Sequence, residues 1–538
     1  MHLATWRMMY LPPYRIAAQH SDRIPLLLSL SIGRWRMGEP AGSRLACSWS
    51  FYPPCRTSIA LRRHCVDSLC MVTLCAFSCT KNQDRTTWGL STTPNVICTI
   101  RYLAPQVQPI HLVLSVIGFK SWRSVTSSWW SLRSPSAKLS IESGISEKFG
   151  SHPQATPVVV AIPRTELAYS EWCGTLDIEE WRRWHQPRLD LVIVTNDRPS
   201  SLRRLLLSLK TSVFFGDRVN LHINVEQTAD PETREIVHSL NWTNGDIIVR
   251  HRVILGGLLP AIVESWYPSS NDSYGLILED DVEVSPMFYA WTKMALLRYR
   301  YGPEVHLSNH LFGISLYQQK IIELRPEGRR PFDPRKLFEA HKLTFPDTPY
   351  TSQIPCSWGA VYFPEHWREF HSYLIDRLSE RKLAISDVIV PDIRSNRWTK
   401  SWKKYFIELV YLRGYVMLYP NFAHFISLST NHLEMGVHVR GDMSAREFLR
   451  KKALFDLPLM PLPQELKSGD TPSILDLPLG SLPRWESLPV VDLWGHLSSG
   501  EDIVRTGQTR HQHLMPGCPL AESICFGIRR EPAPVHYS

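Results

Sequence analysis

The chain has no long hydrophobic run. Its longest apolar stretches, IPLLLSLSI at 24–32 and CMVTLCAFS at 70–78, fall short of the ~18–20 residues that a membrane-spanning helix needs. Neither has the basic start, apolar run and small-residue cleavage site of a signal peptide. A paired CxxC is also missing, and only the looser Cys75 and Cys79 pair approaches zinc-site spacing. No internal repeat emerges. No Gly- and Lys/Arg-rich phosphate loop follows the first strong strand, which argues against a nucleotidyltransferase. Acidic residues are scarce at one end only: residues 1–150 hold 17 Lys+Arg against 6 Asp+Glu, leaving 43 against 45 for the rest. The formal charge of +9 is therefore local. No basic stripe with interleaved aromatics supports nucleic-acid binding.

What is present is enough for a real core. The 538 residues are 43% hydrophobic, room for two or three domains of ordinary size. Residues 1–155 stand apart as a Cys-, Ser- and Arg-rich segment without sustained periodicity, expected to be poorly ordered. They hold seven of the eleven cysteines. A disulfide framework, a zinc site and an upstream sequence that is not a selected domain compete here, and the last is favoured. From about residue 156 the texture changes. RLDLVIVTNDRPSSLRRLLLSLK reads as a strand from Leu189 to Thr195, a polar turn, and a helix with Leu202, Leu205, Leu206 and Leu209 on one face. NLHINVE (220–226) and a helix opened by Pro231 repeat the unit, DIIVRHRVI (246–254) is a third strand, and a helix near Pro260 follows. Strands alternating with helices imply an α/β fold with a largely parallel sheet whose loops gather at one edge.

The fourth strand carries the strongest signal. YGLILEDDVEVSP (274–286) runs from buried Leu276, Ile277 and Leu278 into Glu279, Asp280 and Asp281, with Glu283 beyond. Adjacent carboxylates at the end of a core strand repel and lose hydration, so a cation or polyol ligand is expected to compensate them. Hard oxygen donors suit Mg2+ or Mn2+. The alternative is a solvated turn capping the next helix through Ser285 and Pro286. Asp197, Arg198 and Glu226 converge on the same edge in this reading.

These motifs, TNDRPSSLRRLL, Glu226 after the second strand, and EDDVEVSPMF, resemble the nucleotide-sugar-binding half of GT-A glycosyltransferases. The pattern is similar to fungal glycosyltransferase family 2-like proteins and, more distantly, to N-acetylglucosaminyltransferase I with its EDD form of the DxD motif. The resemblance implies a GT-A domain over 156–455, with a donor half at 188–290 and an acceptor half at 291–445, ahead of a Pro-rich extension over 456–538. It implies a nucleotide-sugar donor, UDP-linked, a glycan, glycoprotein or glycolipid acceptor, and Mn2+ or Mg2+. Thr195, Asp197, Arg198, Glu226, Glu279 and Asp280 would bind the nucleotide sugar, Asp281 the metal, and His432 would be its second ligand. Trp358, in the CSWG stretch, is a candidate stacking platform or a core tryptophan. Asp392, in the polar stretch PDIRSN, is the candidate general base or a plain turn residue, with Asp387 and a Glu408 expected to face solvent as alternatives. Lys400, Lys403 and Lys404 read as a solvated helix face, with binding of a diphosphate or acidic glycan as the alternative. The runner-up function is a catalytically idle sugar-binding or scaffold protein on the same fold. Two sequons, Asn241-Trp-Thr243 and Asn271-Asp-Ser273, fit a Golgi or ER lumenal, membrane-associated setting. Prolines past 455 are expected to leave an extended tail without long regular elements.

Overall fold

The computed structural model describes seven short strands between Leu45 and Val116, then residues 158–378, 388–434, 443–463 and 472–515. The chain divides into two units, Met1–Ala161 and Ile162–Ser538. In the first, Leu45–Cys47, Ile59–Val66, Leu69–Leu74 and Cys98–Arg101 form an antiparallel sheet in that order.

The second unit is built on a ten-stranded sheet. Its first strands are β1 (Arg188–Thr195), β2 (Asn220–Val225), β3 (Ile247–His251) and β4 (Ser273–Glu279). They alternate with helices α1 (Pro199–Lys210), α2 (Pro231–His238) and α3 (Leu258–Val263). The short strand β5 (Val282–Val284) leads to α4 (Phe288–Tyr301). Then come β6 (Leu311–Ser315), β7 (Tyr350–Ser352), β8 (Ala360–Tyr362), β9 (Val416–Tyr419) and β10 (Ser429–Asn431). Finally β11 (Val490–Val491) and β12 (Leu497–Ser498) close the far edge. The order across the sheet is β3-β2-β1-β4-β8-β6-β9-β7-β11-β12. β3, β2, β1 and β4 are parallel neighbours, β8 is antiparallel to both β4 and β6, and β6 and β9 are parallel again. The result is an α/β unit with a mostly parallel central sheet flanked by helices.

This order follows from burial. All but the last residue of β4 are buried, which requires cover on both faces. In α1 the expected leucines at 202, 205, 206 and 209 are buried while Leu207 is exposed, the stripe of a helix laid on one sheet face. α5 (Pro364–Leu378) and α6 (Trp402–Arg413) bring Trp367, Phe370, Trp402 and Phe406 into an aromatic core against Tyr362. The solvated face expected for the lysines is not what α6 shows at one of them: Lys403 is buried and ion-paired with Glu323. α4 begins at Phe288, and the Ser285 hydroxyl accepts from the Met287 N–H and donates to the Met460 carbonyl at 2.6 Å instead of capping the helix.

The tail departs from expectation too. After α7 (Ala445–Phe455), α8 (Gly500–Leu514) is a 15-residue helix, and it packs so closely on α6 that a Cβ at Gly507 would lie 2.3 Å from the Tyr411 carbonyl oxygen. The prolines of 456–489 give way to a proline-free stretch, 490–515, in which Ser499 caps the helix, Glu501 and Asp502 occupy its first turn, and His511 and His513 its last. Among the described residues no helix is long and apolar enough to cross a membrane.

Candidate active site

The chain runs β1, β2, β3 outward on one side and then returns to place β4 on the other side of β1. That reversal opens a crevice at the carboxyl ends of β1 and β4, the place where open α/β sheets bind ligands. The register sets Glu279 opposite Val194, so Asp280 falls beside Thr195. Thr195 Oγ1 donates to Asp280 Oδ2 at 2.9 Å, and the Asn196 N–H reaches the same oxygen at 3.4 Å. Arg198, the residue at which α1 begins, turns its guanidinium back to Asp280 Oδ1 at 3.2 Å and Asp281 Oδ2 at 3.5 Å. Burial raises the Asp280 carboxyl even against the pull of Arg198 and Thr195. Asp197, one residue earlier, is exposed.

Asp281 is fixed from a distant segment. β5 pairs antiparallel with β10, Val282 opposite Asn431. The Asn431 amide donates to Asp281 Oδ1 at 3.0 Å, and the His432 N–H donates to the Asp281 carbonyl at 2.8 Å. The His432 ring turns elsewhere, its Nε2 2.7 Å from Glu283 Oε2. Glu434 accepts from Ser201 at 2.7 Å and Arg204 at 2.8 Å, closing this side over α1. Burial, then the neighbouring Asp280, pushes Asp281 up to about 6. Glu279 makes no side-chain hydrogen bond among the described residues; burial, then Asp281 and Asp280, push it up to about 8, against Arg198 and Lys403. The acids thus outweigh the cations beside them. Among the described residues no group of three or more His, Cys, Asp or Glu side chains converges as a ready-made metal site.

Glu226 follows β2 and is 8% exposed. Its Oε1 accepts the Gln227 N–H at 2.8 Å and lies 3.6 Å from Arg252 Nε. Its Oε2 and the Arg252 Nε are both buried with no hydrogen-bond partner. Arg252 is anchored by its other nitrogen to Glu264 at 2.8 Å.

On the opposite side Trp358 forms the wall. The rings of Tyr317 and Phe455 meet it edge-on at 4.8 and 5.2 Å, and the Lys403 ammonium lies 6.0 Å from its centre. Gly359 makes this approach possible: at φ +90 it tolerates the turn, and a Cβ there would sit 3.0 Å from Ser429, whose hydroxyl donates to the Trp358 carbonyl at 2.6 Å.

The candidate bases fall outside this group. Asp392 is exposed with φ 47, in the left-handed region that Asp tolerates better than most residues, and its carbonyl meets the Trp494 indole at 3.5 Å. Glu408 is not on the surface: it is buried, accepting from Tyr373 at 2.6 Å and Arg377 at 2.9 Å. Asp387 lies outside the described residues. The sequence reading passed over Asn431, Glu434 and the Glu323–Lys403 pair, and gave Glu283, named beside the EDD acids, no role toward His432. Only the β-prone SLSTN segment hinted that a strand would return to the acids.

Residues 199–315 match the family described as the SPBC1E8.03c C-terminal domain, well under half of the chain. No curated protein matches. Solved structures with a likeness include S. aureus TarS 1-349 (11% identity, 44% of this chain and 58% of that one, TM-score 0.25). A second is the Pyrobaculum calidifontis mannosyltransferase PcManGT in complex with GDP-Man and Mn2+ (12%, 47% and 64%, 0.27). A third is GalNAc-T7 with UDP, GalNAc and Mn2+ (12%, 54% and 52%, 0.29). The chain thus spans less than two thirds of each of these. At such scores the likeness adds nothing to what strand order and site geometry show.

Proposed function

We propose that the second unit is a GT-A-type glycosyltransferase, moving a sugar from a nucleotide-sugar donor to a glycan, glycoprotein or glycolipid acceptor. One observation carries the reading: the EDD acids end β4 at the strand-order reversal, and Thr195, Asn196 and Arg198 from the end of β1 close on them. The donor set fits a hard divalent ion, Mn2+ or Mg2+. Asp281 offers a carboxylate held by Asn431, and such ions complete their shell with waters and substrate phosphates. His432, whose Nε2 is taken by Glu283, keeps Nδ1 as the nitrogen for a second ligand, the carboxylate–histidine pairing common behind metal ligands. When bound, the ion neutralises charge that develops on the departing diphosphate. Arg198 holds Asp280 and Asp281 in place, and Glu279 and Asp280 face the sugar and ribose.

Glu226 and Arg252 supply a place for the base. A carboxylate oxygen beside a guanidinium N–H, neither hydrogen-bonded among the described residues, offers one acceptor and one donor to a base edge, which the N3–H and adjacent C=O of uracil fit. Uridine is the base of this proposal. Asp392 remains the base candidate on the acceptor side. A thermal-shift panel of UDP, GDP, ADP and CDP with and without Mn2+ tests the reading, because a ligand that binds the folded state raises its melting temperature. UDP with Mn2+ should give the largest rise. No metal-dependent rise with any nucleotide would overturn the function and favour an idle scaffold.

A further inference from the structure

Beyond Trp358, seen from Glu279, lies a second charged group that donor binding does not use. A hairpin there pairs Ile321 with Pro331 and Ile322 with Arg330. Within it, Glu323 is ion-paired to Lys403, whose ammonium stands over Trp358. Arg329 lays its guanidinium 5.3 Å over the Phe455 ring, which itself packs against Trp358 at 5.2 Å. The Arg329 Nε is buried and makes no hydrogen bond among the described residues. Arg394 enters from the loop after Asp392, its N–H bound to the Leu324 carbonyl at 2.8 Å. It stands close enough to Arg329 to repel it, and burial together with Arg394 depresses the Arg329 guanidinium despite Glu323.

Arg329 thus stands between the carboxylate of Glu323, already paired with Lys403, and a second guanidinium, Arg394. Half-buried guanidinium groups that repel one another, one with a buried unpaired N–H, are costly unless an oxyanion completes their hydrogen bonds. Arg is suited to that task by its planar fork. We propose that Arg329, Arg394 and Lys403 form an oxyanion subsite that binds a phosphate or carboxylate carried by the acceptor, next to the hydroxyl that receives the sugar. The word acceptor rests on the glycosyltransferase reading; the anion site does not.

The probe is inorganic phosphate titrated into the full chain in EDTA, followed by NMR or calorimetry, which leaves the metal-dependent donor site silent. Wild type should bind with millimolar affinity. Arg329→Gln/Arg394→Gln should weaken binding at least about tenfold and Arg394→Gln alone about threefold, while Asp281→Asn changes nothing. The single Arg394→Gln variant keeps the test decisive if the double variant misfolds. Undetectable binding, equal binding by Arg394→Gln, or loss in Asp281→Asn would each overturn the site. Glucose 6-phosphate and glucuronate, each against glucose, tell the phosphate source from the carboxylate source, and failure of both to outbind glucose would overturn the acceptor assignment. UDP with Mn2+ on wild type separates the two claims: no UDP binding with phosphate binding retained would refute the acceptor role and leave an anion site.

Discussion

The two halves of the second unit handle carboxylates in opposite ways. In the donor half, Glu279, Asp280 and Asp281 crowd at a strand end with Arg198 as the cation in hydrogen-bond reach, and burial raises all three carboxyls. In the acceptor half, Glu408 is buried as deeply but is matched by Tyr373 and Arg377, and Glu369 by Arg413 and Tyr415. Matched carboxylates hold elements together, whereas under-matched ones are a cost that a ligand can relieve. If the proposed function holds, the contrast, more than the EDD motif, points to the crevice at the ends of β1 and β4 as the working site.

The largest expected effect tests whether the acceptor half works at all. If Asp392 takes the proton from the acceptor hydroxyl, Asp392→Asn lowers turnover by about 10²–10⁴, roughly 3–5 kcal/mol of barrier. Donor affinity and melting temperature stay near wild type. A variant that keeps turnover within about tenfold of wild type moves the role to Asp387. Next, Glu408→Gln leaves Arg377 without its buried partner and should cost about 3 kcal/mol in urea unfolding. Metal-dependent UDP binding should survive where the fold does, and an unchanged unfolding midpoint would break the contrast from one side.

The donor half should respond with the opposite sign. Glu279→Gln removes a repelled, desolvated carboxylate, so ligand-free protein should gain about 1 kcal/mol. A loss of stability would show that Glu279 has a structural partner. The smallest effect lies away from the crevice, at His306 beside Arg298. Burial, then the Arg298 charge, depresses the His306 imidazole from its ordinary 6.5 to about 4. The neutral ring is favoured in the folded state, so its contribution is present above pH 6.5 and fades as pH falls toward 4. His306→Gln should flatten the acid side of the melting-temperature profile in that window; an unaltered slope would assign the acid sensitivity elsewhere.

The halves also differ in how far the sequence discloses them. In the proposed donor half the candidate residues lie at or within three residues of strand ends, so the alternation of period-2 and period-3.6 patterns put Thr195, Arg198, Glu226 and the EDD acids at one sheet edge. The α1 leucine stripe was equally plain. Legibility failed where partners meet through distant chain reversals. Asn431 and His432 reach Asp281 through a three-residue strand too short to show periodicity. Lys403 sits on a helix with apolar residues all round, so its burial depends on Glu323, far away in sequence. Glu408 looked solvent-facing because Arg377 and Tyr373 come from another helix. The proline density of the tail hid α8, whose caps were nonetheless written at Ser499 and the acids after it.

The most direct test of the central claim is calorimetric titration of UDP into wild type and Asp281→Asn, each with Mn2+ and with EDTA. An amide cannot supply the charge a divalent ion requires. Wild type should bind UDP with Mn2+ and lose at least about tenfold in affinity without it, while Asp281→Asn, with its melting temperature unchanged or raised, should bind weakly and alike in both buffers. Equal Mn2+-dependent binding by the two proteins would contradict the account.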